Sequence, residues 1–235
     1  HDRNNRVAHR EGAMRIVDLS MPIAGDHPRW ATEISVTGDL AKGDLAQVTW
    51  LKVSCHAYTH VDARRHMFAD GATIEATPLD DLVGRCAVVD LMDVQPNEAI
   101  GAEKLAARGK HIQRGGMVLL KSNWDRQRSP MTKEFWLDSP YVTREAAEWL
   151  LATGIRAIGY SFPQDYPIRL MLKGERRPLA EQVTHDVLLR AGVHMIEYVA
   201  NTADIREPEV FLSAAPLKIP GADGAPARVY CIEGM

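Results

Sequence analysis

The sequence has few cysteines and no long apolar run, and both shortages restrict what the protein can be. Its three cysteines, Cys55, Cys86 and Cys231, are odd in number and widely separated, which excludes a disulfide framework and a CxxC zinc or redox motif. No stretch reaches the roughly eighteen apolar residues that a membrane-spanning helix requires. The charged stretch 1–13 lacks the apolar centre of a signal peptide. We therefore expect no membrane association and a cytoplasmic location.

The sequence also lacks a block of basic residues. Its 28 Lys and Arg side chains are interspersed with 31 Asp and Glu side chains, and the formal net charge is −3. The basic pairs Arg64-Arg65 and Arg176-Arg177 are too short to follow a phosphate backbone. A nucleic acid is therefore not the expected partner, and a small molecule is.

The chain is long enough and apolar enough to fold around one core. Of its 235 residues, 46% are hydrophobic, and it contains neither an internal repeat nor a linker. We expect a flexible N-terminal segment over residues 1–13 and one domain over 14–235. Strand and helix signals are mixed along that domain, which predicts an α/β fold.

The local patterns place the elements. Residues 22–45 are rich in Pro, Gly and Asp and predict a long loop with room for one hairpin. Two helices are predicted, one over 143–151 that Gly154 ends and one over 183–192 whose last residue is Gly192. Runs of apolar and β-branched residues predict the strands, which cover 15–19, 47–62, 86–93, 117–121, 155–159 and 193–199.

The most informative stretch runs from His56 to His66, where three histidines and an aspartate all occupy even positions. Side chains two residues apart share one face of a strand, so a strand that persists to Asp62 would align His56, His60 and Asp62. Neutral imidazoles and a carboxylate form the usual ligand set of a catalytic divalent ion, which lowers the pKa of a bound water. The alternative, ordinary polar residues on an exposed strand, explains the clustering less well. The pattern predicts a metal-dependent hydrolase.

A second signal lies downstream, where His185 and Glu197 are twelve residues apart. Glu197 is set in an apolar strand, and a carboxylate in such surroundings needs a cation or hydrogen bonds to offset its desolvation. His194 falls on the opposite face of that strand and is expected to be structural.

Both signals resemble those of the cyclase family, which contains bacterial kynurenine formamidases and isatin hydrolases. The stretch 56–66 resembles the family signature HxGTHxDxPxH, and the pair His185 and Glu197 matches the family's distant His and Glu. The resemblance extends from Asp18-Leu19-Ser20 to Ala225-Pro226-Ala227-Arg228. It implies a swivelling β/β/α-type fold with a mixed sheet and flanking helices, and a homodimer whose loops reach the partner's pocket.

The resemblance also implies a metal site of one or two ions, zinc or manganese. His56, His60 and Asp62 would hold one ion, and Asp62 would bridge it to a second ion held by His185 and Glu197. Because carboxylate and imidazole ligands suit several divalent ions, the sequence leaves the choice of metal open.

Two further residues take roles from the resemblance. His66 matches the family's general acid/base, and Trp30 matches an aromatic residue that lines the substrate pocket. A tryptophan there would stack on an aromatic substrate, although it could equally hold its own loop to the core.

Three positions depart from the family pattern. Tyr58 replaces the usual Gly and is expected to narrow the pocket or add a hydroxyl to it. Arg64 replaces the usual Pro and could hold a carboxylate-bearing substrate, with a solvated loop charge as the alternative. Ser161 stands where many members carry Asp.

The expected reaction is hydrolysis of a carbonyl C–N bond in an arylformamide or in a cyclic amide such as isatin. The sequence leaves open a catalytically altered ligand-binding protein, a hydrolase or cyclase acting on a lactone or polyketide-type substrate, and a redox enzyme with the same ligands. A serine hydrolase is disfavoured because Gly159-Tyr160-Ser161-Phe162-Pro163 lacks the second glycine of a nucleophile elbow.

Overall fold

The computed structural model describes residues 14–235, and the segment 1–13, for which flexibility was predicted, lies outside the described residues. The strands are β1 (Arg15–Asp18), β2 (Glu33–Gly38), β3 (Val48–Lys52), β4 (His60–Asp62), β5 (Val83–Asp90), β6 (Ala99–Ile100), β7 (Met117–Lys121), β8 (Tyr141–Val142), β9 (Ala157–Tyr160), β10 (His194–Glu197), β11 (Glu209–Ser213), β12 (Gly224–Pro226) and β13 (Tyr230–Glu233). The helices are α1 (Ala102–Arg108), α2 (Trp124–Gln127), α3 (Lys133–Leu137), α4 (Arg144–Thr153) and α5 (Ile168–Met171). Short 3₁₀ turns and one π-helical turn, His185–Leu189, complete the described part.

Nine of the described strands form one mixed sheet in the order β1-β13-β11-β5-β7-β9-β10-β4-β12. Its centre, β5-β7-β9-β10, is parallel, and β4 and β12 continue it with antiparallel pairing. The predicted α/β fold with a mixed sheet and flanking helices is therefore confirmed.

Both faces of the central strands are buried, as β7 shows. Val118 and Leu120 belong to the larger core cluster, beneath α1, α3 and α4, whereas Met117 and Leu119 belong to the cluster on the opposite face. A parallel strand covered on both sides reads as a continuous apolar run, which is why its bounds were predicted to the residue.

The helix α4 begins and ends at the capping residues that the sequence predicts. The Thr143 side chain accepts a hydrogen bond from the Ala146 backbone N–H, and Gly154 ends α4 in the left-handed region at φ 75°. The predicted strand 47–62 was wrong, however. β3 ends at Lys52, a turn follows, and a new strand begins at His60.

The predicted loop over 22–45 does contain a hairpin strand. β2 lies within it and pairs antiparallel with β3, and these two strands form a separate sheet. Every residue of β3 and nearly every residue of β2 is exposed. This hairpin, residues 33–52, connects at both ends to segments that contribute to the site described next.

Candidate metal centre

The register between β4 and β10 creates the centre of the site. Glu197 lies directly opposite His60, and Met195 lies opposite Asp62. Because His60 and Asp62 are two residues apart in β4, their side chains lie on the same face of the sheet. The side chain of Glu197, which is paired with His60, lies on that face too. All three residues are buried, and the most exposed of them, Glu197, is only 3% exposed. The His60 Nε2 atom lies 3.1 Å from the Asp62 Oδ1 atom and 3.7 Å from the Glu197 Oε2 atom.

His56 is brought to Asp62 by a turn, and not by sharing a face of one strand with it. It lies in the turn that follows β3, and its Nδ1 atom is 2.8 Å from Asp62 Oδ1. Gly224 of β12, opposite Asp62 in the sheet, makes room for it. A Cβ atom on Gly224 would lie 2.7 Å from His56 Cε1 and 2.9 Å from the Val61 carbonyl oxygen.

His185 enters from the π-helical turn that precedes β10. Its Nε2 atom lies 3.4 Å from Asp62 Oδ2 and 3.4 Å from Glu197 Oε1. Its Nδ1 atom is hydrogen-bonded to the buried Asp165 carboxylate at 2.6 Å. Asp165 is itself fixed by the backbone N–H and hydroxyl of Thr184, at 2.8 and 2.9 Å. π-helical turns recur at functional sites, and this one aims an imidazole at two carboxylates.

The donor atoms suit a divalent ion. The Nδ1 atoms of His60 and His185 are both engaged, that of His60 with the Tyr58 carbonyl at 2.6 Å, so the Nε2 atom of each ring faces the cluster. Within residues 14–235, His60 Nε2 and Asp62 Oδ2 are buried without a hydrogen-bond partner. Ligands of a tetrahedral zinc lie about 3.3 Å apart, close to the separations around His185.

His66 faces the same cluster from the 3₁₀ turn that follows β4. Its ring centroid lies 3.9 Å from that of His56, and donor atoms of His56, Asp62 and His66 lie within 4.8 Å of one another. Burial lowers the pKa of His66 to about 4, so its imidazole is neutral near pH 7. This arrangement leaves His66 able to accept a proton or to coordinate.

The electrostatics of the cluster call for a cation. Burial, and then the neighbouring Asp62, raise the pKa of Glu197. Burial lowers the pKa of His56, but its hydrogen bonds with Asp62 and Asp223 outweigh burial and raise it to about 9. Burial also lowers the pKa of His185, but its hydrogen bonds with Asp165 and Asp62 outweigh burial and raise it. Protons on His56 and His185 therefore balance the buried carboxylates, and a divalent ion would replace those protons.

Trp30, one of the predicted substrate-binding residues, lies in the loop before β2. Its ring centroid is 5.2 Å from that of His27 and 6.3 Å from that of Trp136, and it packs against the larger core cluster. Trp136 in turn contacts the Tyr198 ring, which lies 5.3 Å from the His60 ring. A row of aromatic rings thus leads from Trp30 to His60 in the candidate metal centre.

Tyr58 is buried, and its side chain supports the loop that precedes β2. Its hydroxyl bonds the Ala24 carbonyl and lies 3.1 Å from the Thr32 hydroxyl. Tyr58 also borders a cavity of about 770 Å³ whose lining contains none of the predicted metal ligands. Its backbone carbonyl, by contrast, orients His60.

Arg64 is directed away from the cluster. Its guanidinium lies 3.6 Å from Asp70, over the Phe68 ring at 5.0 Å, and within 3.4 Å of the Arg190 carbonyl. Ser161, the other departure, is buried and bonds the Ser122 hydroxyl and the Leu120 carbonyl. Neither side chain joins the cluster.

Sequence reasoning missed four polar residues of the site. Asp165 orients His185, and the amide of the neighbouring Gln164 donates to Glu197. The Asp223 carboxylate lies 2.9 Å from His56 Nε2 and 3.5 Å from His66 Nδ1, and Tyr198 packs on His60. A polar pair just beyond the apolar strand β9 was a usable signal for Gln164 and Asp165, because strand ends carry site residues. Asp223 carries no comparable signal.

The mixed α/β sheet places His60, Asp62 and Glu197 together on β4 and β10, and His56 and His185 reach them from neighbouring turns. This fold and this cluster of imidazoles and carboxylates define the class as metal-dependent hydrolases, and comparison with known proteins defines the family. The chain belongs to the cyclase family, since the family sequence model described as "Putative cyclase" matches residues 17–164. This confirms the resemblance found in the sequence.

Individual relatives are similar over nearly the whole chain. The kynurenine formamidase of Erythrobacter litoralis is 28% identical over 223 residues, which cover 93% of this chain and 94% of that protein. A solved structure of a predicted metal-dependent hydrolase from Bacillus stearothermophilus is 31% identical, covers 94% of this chain and 99% of its own, and has a TM-score of 0.73. Isatin hydrolase A from Labrenzia aggregata shares the fold with a TM-score of 0.80 at 23% identity, with 96% of each chain covered.

The longest described helix, α4, has ten residues, and a bilayer crossing needs about twenty. Across residues 14–235, no helix combines the length and the apolar character that such a crossing demands. The cytoplasmic location stays a prediction.

Proposed function

We propose that this protein is a metal-dependent hydrolase that cleaves the carbonyl C–N bond of an aryl formamide or a cyclic amide. The observation that carries the proposal is the convergence of His56, His60, Asp62, His185 and Glu197 in one buried cluster. Two donor atoms of that cluster, on His60 and Asp62, are buried without a hydrogen-bond partner within residues 14–235. Similarity to kynurenine formamidases supports the substrate class.

Each side chain has a separate task in this proposal. His56, His60 and Asp62 would hold one ion, and Asp62 also faces His185 and Glu197, which would hold a second where two are bound. A divalent ion at these residues supplies a Lewis acid and lowers the pKa of water. Zinc or manganese fits the imidazole and carboxylate set.

His66 is the proposed proton carrier. Its imidazole is neutral near pH 7, because burial lowers its pKa to about 4, and it faces the cluster from the side of Asp223. It would take a proton from the attacking water and deliver it to the leaving nitrogen. The aromatic row from Trp30 to Tyr198 would hold the ring of the substrate.

Separate alanine variants test these assignments. We expect His60→Ala and Asp62→Ala to lose bound metal and hydrolysis of N-formylkynurenine and isatin. We expect His66→Ala to keep its metal and to lose about 100-fold in kcat, a typical contribution of general acid–base catalysis. Undiminished metal content in both ligand variants would contradict the metal centre. Full activity of His66→Ala would contradict its proton transfer, and loss of metal would make it a ligand.

We also propose that the active form is a homodimer joined through the hairpin 33–52. The hairpin exposes large apolar side chains, including 63% of Trp50 and all of Leu45. A two-stranded hairpin is at best marginally stable by itself, and an exposed apolar patch of this kind is typical of an interface. A second copy would cover both hairpins by one two-fold symmetric contact.

A further inference from the structure

The Arg29 guanidinium packs against two tryptophan rings and reaches Tyr198, which contacts the candidate metal centre. Its guanidinium carbon lies 4.0 Å from the centroid of the Trp30 ring and 4.9 Å from that of the Trp136 ring. Its Nη1 atom donates a hydrogen bond of 2.9 Å to the Tyr198 hydroxyl. These contacts fix the position of a cation without neutralising its charge.

Arg29 has no carboxylate within 4.0 Å among residues 14–235, in contrast with Arg64, Arg144, Arg177 and Arg190, each of which has one. The Arg29 side chain is only partly buried. Within residues 14–235, none of its nitrogen atoms is both fully buried and without a hydrogen-bond partner. Several of its N–H donors are therefore free and accessible to a ligand. A guanidinium offers two parallel N–H groups to a carboxylate, and here the cost of ordering the side chain is already met.

The fixed point that links Arg29 to the metal centre is Tyr198. It directly follows Glu197, and its ring centroid is 5.3 Å from that of His60. Its backbone has φ 56°, an unusual conformation for a bulky residue, and its carbonyl accepts a hydrogen bond of 2.7 Å from the Thr59 hydroxyl. Strained conformations of this kind persist where the surroundings enforce them, commonly at functional sites.

We infer that Arg29 binds the carboxylate of an acidic aryl amide whose scissile carbonyl lies at the metal centre. The inference rests on the proposed function and narrows its substrate class to amides that carry a negative charge on or near the aromatic ring. Trp30 and Trp136 then serve two purposes, because they hold the cation and offer apolar surface to the ring of the substrate. In this inference Arg29, and not Arg64, binds the carboxylate of the substrate, because the Arg64 guanidinium lies beside Asp70.

A matched substrate pair tests the inference. N-formylanthranilate and formanilide share the aryl formamide, and only the first carries a carboxylate. We expect Arg29→Met to lower the ratio of their kcat/KM values, anionic over neutral, by about 10- to 100-fold, the range of a charged hydrogen bond. Arg29→Lys should recover part of the ratio, because it restores the charge without the paired N–H groups. Arg64→Met is the control and should leave the ratio as in the wild type.

A second measurement separates this inference from the proposed function. Calorimetric titration of the metal-loaded protein with anthranilate and with benzamide reports binding without turnover. We expect Arg29→Met to weaken anthranilate binding at least tenfold more than benzamide binding. Equal losses for both ligands or both substrates, or an effect of Arg64→Met in place of Arg29→Met, would overturn the inference. If the wild type hydrolyses neither formamide and still binds anthranilate through Arg29, the proposed reaction fails and the anion site stands.

Discussion

Asp165 is a buried carboxylate that orients His185, one of the proposed metal ligands, without belonging to the proposed ligand set. It binds His185 Nδ1 at 2.6 Å and thereby keeps the Nε2 atom of that ring directed at Asp62 and Glu197. Carboxylate partners of this kind fix the tautomer and orientation of a coordinating histidine. The amide of Gln164 does the corresponding work for Glu197.

We predict that Asp165→Asn weakens metal binding about 10- to 100-fold, the usual effect of removing such a partner. A competition titration with a chromogenic chelator measures the change. The matched control is Asp186→Asn. Asp186 lies next to His185 in the π-helical turn, and its carboxylate pairs with Arg144 and Arg190 on the surface. Equal affinity of the Asp165 variant and the wild type would show that the turn itself positions His185.

Gly224 gives a second prediction at this scale. A methyl group there would meet the His56 ring at 2.7 Å and the Val61 carbonyl at 2.9 Å, so Gly224→Ala must displace His56 or β12. We expect reduced metal content and lower activity. Gly101→Ala is the control, because a Cβ atom at Gly101 has no neighbour within 4 Å. Metal content equal to the control would mean that His56 is not held by this contact.

At the level of elements, local pattern and tertiary contact contribute differently to the site. The two-residue spacing of His60 and Asp62 was enough to predict that they share a face of a strand. The apolar strand around Glu197 was enough to predict that its carboxylate needs a cation or hydrogen bonds. The position of His56 was predicted for the wrong reason, because a turn, and not a continued strand, delivers it. The geometry of this turn depends on distant residues such as Gly224, which makes room for the His56 ring. The sequence around His56 does not reveal such contacts.

The π-helical turn is a second element that the sequence did not reveal. The helix over 183–192 was predicted from its pattern and its terminal Gly192, which does adopt φ 89°. The pattern could not distinguish an α-helix from the wider turn His185–Leu189, since both place apolar residues on one side. The difference matters because the wider turn sets the direction of His185. Asp223 was missed for the related reason that single polar residues in loops have no periodicity.

The hairpin 33–52 gives the prediction at the scale of elements. We expect the wild type to be dimeric, and Trp50→Ser combined with Leu51→Ser to shift it toward the monomer, because these side chains are 63% and 50% exposed without a second copy. Light scattering coupled to size exclusion measures the change. Leu79→Ser, at a site 58% exposed away from the hairpin, is the control. A monomeric wild type, or a double variant that stays fully dimeric, would contradict the proposed interface.

At the scale of the whole molecule, the proposed metal centre joins several parts of the fold. β4, β10 and β12 meet at the cluster, and the loop after β3, the π-helical turn and the segment around Asp165 all contribute to it. Three buried carboxylates, on Asp62, Asp165 and Glu197, lie within this one region. Such a concentration of charge is stable only when cations compensate for it. A ligand that binds only the folded state raises its stability, so metal should also raise the Tm.

The most direct test of the account is elemental analysis of the protein purified without added metal, combined with N-formylkynurenine hydrolysis before and after chelation. We predict one or two equivalents of zinc or manganese per chain, loss of activity and a lower Tm on chelation, and recovery of both when the metal is returned. Protein that contains no stoichiometric metal, or that hydrolyses the substrate equally well after complete chelation, would contradict the central claim.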